Sequence, residues 1–227
     1  MIITNNALLN KGANYLGPPV IVAAKGAQSN SSSYVISFDR VPDIGDLIVL
    51  FVTAGATTSL PTSVPSGFSL LTSRNSGGIG GSFVAACYYG TADGITNSFT
   101  FGFPGGSGTL GIAGYVIRYA NGFDISTTNQ ITSSGTSITV APSNQAFVKE
   151  CLGIAFATTG NTSSGIALNN SFNGNLINIS SPTSPERQAL SGVRTFLSAA
   201  TTNSTATWST SRTAVSLMIS VLPSQPS

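Results

Sequence analysis

The chain has 227 residues, nine basic and seven acidic, no histidine and a net charge of +2. Charged residues reach only 7 %, against a usual share of about 25 %, while a 41 % hydrophobic content is too high for a disordered chain. The basic residues form no cluster or stripe, which excludes the footprint of a nucleic-acid binder, and the lack of histidine excludes a Ser-His-Asp triad and imidazole metal ligands.

Residues 1–19 read as an arm, with Asn, Gly and the pair Pro18-Pro19 interrupting any period. The arm has no basic n-region and no apolar h-region, so the expectation is a chain without a standard signal peptide. No apolar run approaches the roughly 20 residues that span a bilayer, so no membrane partner is expected. The apolar clusters Met1-Ile2-Ile3 and Ala7-Leu8-Leu9 are too short for a lone helix. Ile2, Ile3, Leu8, Leu9 and Tyr15 are therefore interface candidates. The alternative is that the arm covers the chain's own open end.

Strands are expected at about 20–24, 33–38, 46–54, 67–72, 82–90, 96–103 and 109–119. A second set follows at about 136–140, 149–158, 174–179, 189–200, 204–209 and 213–222. Val, Ile, Thr, Phe and Tyr fill them, and Gly, Pro, Asn and Ser bound them. The segment from Asp46 to Thr53 is apolar on both faces, as in a strand covered on each side or at a subunit contact. A short helical turn near Ser184 to Gln188 is the best helix candidate.

The second set echoes the first. YVISFDRVPDIGDLIVLFVTAG is answered by TSITVAPSNQAFVKECLGIAFATTG. Gly67–Leu71 is matched with Gly174–Ile177, Cys87–Ala92 with Thr195–Ala200, Asn97–Phe101 with Ser204–Trp208, and Leu110–Arg118 with Ala214–Leu222. The period is roughly 105 residues, far beyond the 20–50 of solenoids. It marks a duplicated β unit. The expected fold is an all-β, jelly-roll-like antiparallel sandwich over 20–223, with halves at about 33–122 and 136–222 that pack through strands 46–54 and 149–158. Two separate sandwiches joined near Gly122 to Gly135 are the alternative.

Chemical motifs are weak. Gly106 to Gly111 matches G-x-G-x-x-G, but a strand follows where a dinucleotide fold needs a helix. Asp43 and Asp46 flank the turn Ile44-Gly45, and Asp93-Gly94 reads as another turn, so these carboxylates bond the backbone rather than act as a catalytic pair. The sequons at Asn30, Asn161, Asn178 and Asn203 carry little weight in a chain so rich in Asn, Ser and Thr. Cys87 and Cys151, one in each half, read as buried thiols, with a disulfide as the alternative if their strands face each other at about 5–6 Å between Cα atoms. No enzyme, cofactor or metal is expected.

The run from Tyr34 to Leu222 resembles a β-rich domain of bacteriophage virion proteins and some bacterial surface proteins. The segments carrying the likeness are GDLIVLFV, PSGFSLL, YYGTADG, SFTFGF, GYVIRYANGFD, TSITVAP and TATWSTSRTAVSLMISVLP. Gly67-Phe68 stands where that family usually has Gly-Trp. The resemblance implies a structural role on a virion exterior, foremost as a capsid decoration or cement protein. The implied partners are a major capsid protein or other virion proteins, and the chain itself as a closed homo-oligomer, a trimer by preference. A tail or fibre component that binds a host receptor or glycan is the second reading, and a bacterial adhesin the third. The resemblance supplies no active-site residue.

Overall fold

A computed structural model describes residues 2–3, 17–77, 82–104, 110–124, 130–147, 150–160, 166–169, 172–180 and 188–223. The fold is all-β, with no helix among the described residues. The first half holds β1 (Ile2–Ile3), β2 (Val20–Ser29), β3 (Ser33–Ser37), β4 (Leu47–Gly55), β5 (Ser69–Asn75), β6 (Phe83–Thr91), β7 (Ser98–Gly102) and β8 (Leu110–Arg118). The second holds β9 (Ala120–Asp124), β10 (Gln130–Phe147), β11 (Cys151–Thr159), β12 (Ala167–Leu168), β13 (Gly174–Ser180), β14 (Gln188–Phe196) and β15 (Ala200–Pro223). The turn expected near Ser184 lies outside the described residues, apart from Gln188, which opens β14.

The duplication is visible in the pairing. In the first half β2-β8-β4-β6-β5 form one antiparallel sheet and β3-β7 a ribbon. The bridge between Ser63 and Gly102 lays a third segment beside β7. In the second half β11 pairs with β14 and with the end of β15, β14 pairs with β13, and β9 and the start of β10 pair with β15. The rest of β10 pairs with the first part of β15, and β12 adds beside it. This is the same connectivity twice. In the second half the chain passes from ribbon to sheet without leaving the ladder, with register shifts around Gly135 at the corner. Strands that switch layers at bulges make such corners, and they merge the second sheet and ribbon into one eight-stranded, curled sheet.

Register fixes which residues are equivalent. Phe51 faces Cys87 and Phe156 faces Ser191, so Ser191, not Thr195, is the counterpart of Cys87. Ser69, not Gly67, likewise corresponds to Gly174, because their partners Tyr89 and Val193 correspond. Both displacements are even. An even slip leaves every side chain on its own face, so the alternation of apolar residues cannot reveal it. The matches of Leu110 with Ala214 and of β4 with β11 stand as read.

The halves meet through equivalent strands. All nine residues of β4 and all nine of β11 are buried. The rings of Phe51 and Phe156 stack at 5.2 Å and 9°, and the Thr53 hydroxyl donates to the Thr158 hydroxyl at 3.5 Å. Contact between a residue and its own counterpart is the mark of an isologous, two-fold interface. The flanks agree, since β13 packs over β2 and β8 while β5 packs over β10 and β15. Ile179 closes onto Gly111, where a Cβ would lie 2.9 Å from its Cγ2. The apolar core between the sheets draws Val49, Phe51, Tyr115, Ile154, Phe156 and Leu217, among others, from both halves. Two outer cores lie under the ribbons, one under Tyr34, Ile36 and Phe101, the other under Ile138, Val140 and Trp208.

Cys87 sits in the central core and Cys151 in the second outer core, and no disulfide joins them. Burial pushes the Cys87 thiol well up from its ordinary pKa, which keeps it the neutral, inert form.

Candidate functional site

The arm residues are placed only in part. Ile2 and Ile3 form β1, antiparallel to β9 of their own chain, with Ile2 opposite Asp124 and Ile3 opposite Phe123. For these two residues the docking strand is intramolecular. Leu8, Leu9 and Tyr15 lie outside the described residues.

Among the described residues, one loop end of the first half forms a groove. Its turns are tied together. Gly45 N–H donates to Ala92 O at 3.1 Å and Ala92 N–H to Asp46 O at 2.8 Å. Asn97 Nδ2 donates to Phe38 O at 3.1 Å. The turn that opens β4 is pinned from β8, where Arg118 Nε and Nη2 reach the two Asp46 oxygens at 3.0 and 2.9 Å and Nη2 also contacts Asp43. Asp46 also accepts the Asp43 N–H at 3.1 Å, as its place in a turn suggests, but its main partner is Arg118. The hydrogen bonds that Arg118 donates to Asp46, with both carboxylates nearby, raise the Arg118 pKa further. This cluster is a brace and not an acid–base pair, since a bidentate Arg–carboxylate contact serves geometry.

Beside it, Asp93 closes its own loop. Its Oδ1 accepts Ile95 N–H at 2.9 Å and Thr96 N–H at 2.8 Å, and its Oδ2 accepts the Thr96 hydroxyl at 2.6 Å. The Thr96 hydroxyl, then the two N–H groups, hold the carboxyl at about 2, against an ordinary 3.8. It is therefore an anionic acceptor at any working pH. Ile44 and Ile95 stand on the adjoining tips, 82 % and 81 % exposed.

The third wall begins at Pro65-Ser66-Gly67-Phe68. Phe68 N–H donates to Pro65 O at 3.2 Å, and Gly67 has φ +81°, the left-handed value that the third position of a type II turn requires. The turn delivers Phe68 onto β6 and against Phe99, with ring centroids 5.1 Å apart and planes at 57°. Between these walls runs a groove of about 470 Å³, lined by Pro65, Phe68, Asp93, Thr96, Phe99 and Thr100 with their neighbours. Sequence reasoning named the PSGF segment and the Asp93-Gly94 turn but did not bring them together. Only the pairing of β5 with β6, and of β3 with β7, does so.

No group of three or more metal-ligating side chains occurs among the described residues, and no helix of these residues is long and apolar enough to cross a membrane. No family model, curated protein or solved structure matches the chain.

Proposed function

We propose that the chain is a non-enzymatic structural protein of a bacteriophage particle, carried on the exterior as a capsid decoration or cement protein. The observation that supports this reading most is a β-sandwich with charged side chains at only 7 %. Burying hydroxyls and amides against neighbours costs less than burying unpaired charge, and a low net charge favours association. Its partners are then a major capsid protein or other virion proteins and further copies of itself, with a closed trimer preferred. The arm supplies contacts beyond Ile2–Ile3. Quantitative mass spectrometry of purified particles tests this. A copy number tied to capsid symmetry, lost with residues 1–19 deleted, is the expected result, and absence from particles overturns it.

A second reading, a tail or fibre component that binds a host receptor or glycan, is favoured by the groove at the loop end. Copurification with tails and not with capsids selects it.

A further inference from the structure

We propose that the groove beside Phe68 binds an uncharged sugar residue, stacked on the Phe68 ring and hydrogen-bonded by Asp93. The proposal deepens the second reading's glycan and holds for a capsid or a tail location alike.

Three observations carry it. First, Phe68 is a platform. A Cβ on Gly90 would meet Phe68 Cδ2, Cε2 and Cγ at 3.0, 3.0 and 3.1 Å. Three ring atoms at nearly one distance mean that the ring lies flat on β6. One face is sealed against backbone, and the ring lines the groove. Flat aromatic faces attract the C–H face of a pyranose, as they attract other positively polarised edges.

Second, the polar groups suit hydroxyls. Asp93 spends Oδ1 on two N–H donors but Oδ2 on a single hydroxyl, so Oδ2 retains acceptor capacity. Ser66, Thr96 and Thr100 add hydroxyls to the lining, and Asp93 is the only charged residue of that lining. An anionic wall with no cation repels acidic sugars and phosphates. The volume of about 470 Å³ falls within the roughly 300–1,000 Å³ of small-ligand sites.

Third, the groove is specific to the first half. Register places Arg194 at the position of Gly90, and Leu197 follows Arg194 by three residues, as Asp93 follows Gly90. Arg194 lays its guanidinium over Phe196, 4.7 Å from the ring centroid, so the second half has neither the glycine seat nor the carboxylate.

The test is an amide-shift titration of the isotope-labelled full chain with maltohexaose, cellohexaose, chitohexaose and mannohexaose, and with hexagalacturonate and p-cresol as acidic and purely apolar controls. At least one neutral hexasaccharide should shift Gly67, Phe68, Asp93 and Thr96 saturably, with hexagalacturonate inert and p-cresol weaker. Phe68→Ala should weaken binding by about tenfold, and Phe68→Trp should keep it. Thr100→Tyr fills the groove from an exposed strand position and should abolish the shifts with an unchanged melting temperature. The proposal is overturned if no neutral probe shifts these amides, if p-cresol binds as well, or if a folded Thr100→Tyr still responds. Particle localisation is read separately, so failure here leaves the virion proposal standing.

Discussion

The two halves share a topology but fill it differently, and the differences are compensated position by position. At the mouth of the first sheet Asp46 and Arg118 form a bidentate ion pair, while their counterparts are Cys151 and Leu222. Under the first ribbon, Gly114 leaves room for Ile36 and Phe38, where a Cβ would lie 2.6 and 3.0 Å from their side chains. The counterpart of Gly114 is Met218, in a cluster whose ribbon residues are Ile138 and Val140. One smaller ribbon side chain, Val140 where the first ribbon has Phe38, thus goes with a larger sheet residue. The comparison teaches that connectivity and total core volume define the half-unit, and that neither the ion pair nor any one aromatic does.

The largest effect should come where the halves are most alike. Phe51 and Phe156 are both fully buried and stack on each other. Phe51→Ala and Phe156→Ala should each cost about 3–5 kcal/mol in urea denaturation. The double variant should cost less than the sum by about 0.5–1.5 kcal/mol, the worth of the ring pair. Unequal single costs would break the symmetry argument.

Next comes the brace. The Asp46 side chain is 4 % exposed and that of Arg118 29 %. Asp46→Ala strands a half-buried guanidinium and should cost about 2–3 kcal/mol. Transplanting the second half's solution, Asp46→Cys with Arg118→Leu, should recover most of that loss, because an apolar pair often replaces an ion pair at little cost. A double variant worse than the single one would contradict the equivalence of the two mouths.

Gly114→Ala should cost about 1–3 kcal/mol by overpacking, and a companion Ile36→Val, which removes the Cδ1 nearest the new Cβ, should relieve part of it. Additive losses, measured by thermal melting, would show that the two positions do not compensate.

The smallest effect is electrostatic. The Asp93 carboxyl is depressed to about 2, from 3.8. Its hydrogen bonds therefore stabilise the loop in full above about pH 4, and that contribution falls away as pH drops through about 2. A carboxyl-carbon titration should find the low midpoint, and Thr96→Val should move it upward. In the second half Leu197 follows Arg194 by three residues, as Asp93 follows Gly90, and no matching acid-sensitive loop is expected there.

Much of this was legible in the chain itself. Alternation, turn residues and the unbroken apolar run from Leu47 to Val52 revealed most strands, the doubly covered β4 and the repeat. The segment Ala120–Asp124 carries Asn and Gly and is not among the expected strands, yet pairing with β15 makes it β9, a tertiary override of weak local preference. Pro142 likewise reads as a turn, but β10 runs through it, with a register shift between Ala141 and Gln145 that accommodates the missing N–H. The groove was hidden for a different reason. Phe68, Gly90 and Asp93 belong to separate turns and strands, and no local pattern states that a glycine will seat a ring from another strand. The brace was hidden in the same way, since Arg118 follows Asp46 only after most of the first half has intervened.

The central claim is that the two halves, joined through β4 and β11, behave as one body. Differential scanning calorimetry of the intact chain tests it most directly. The account predicts one transition, with calorimetric and van't Hoff enthalpies equal, shifted downward as a whole by Phe51→Ala or by Phe156→Ala. Two resolved transitions, with each substitution moving only the one from its own half, would contradict it.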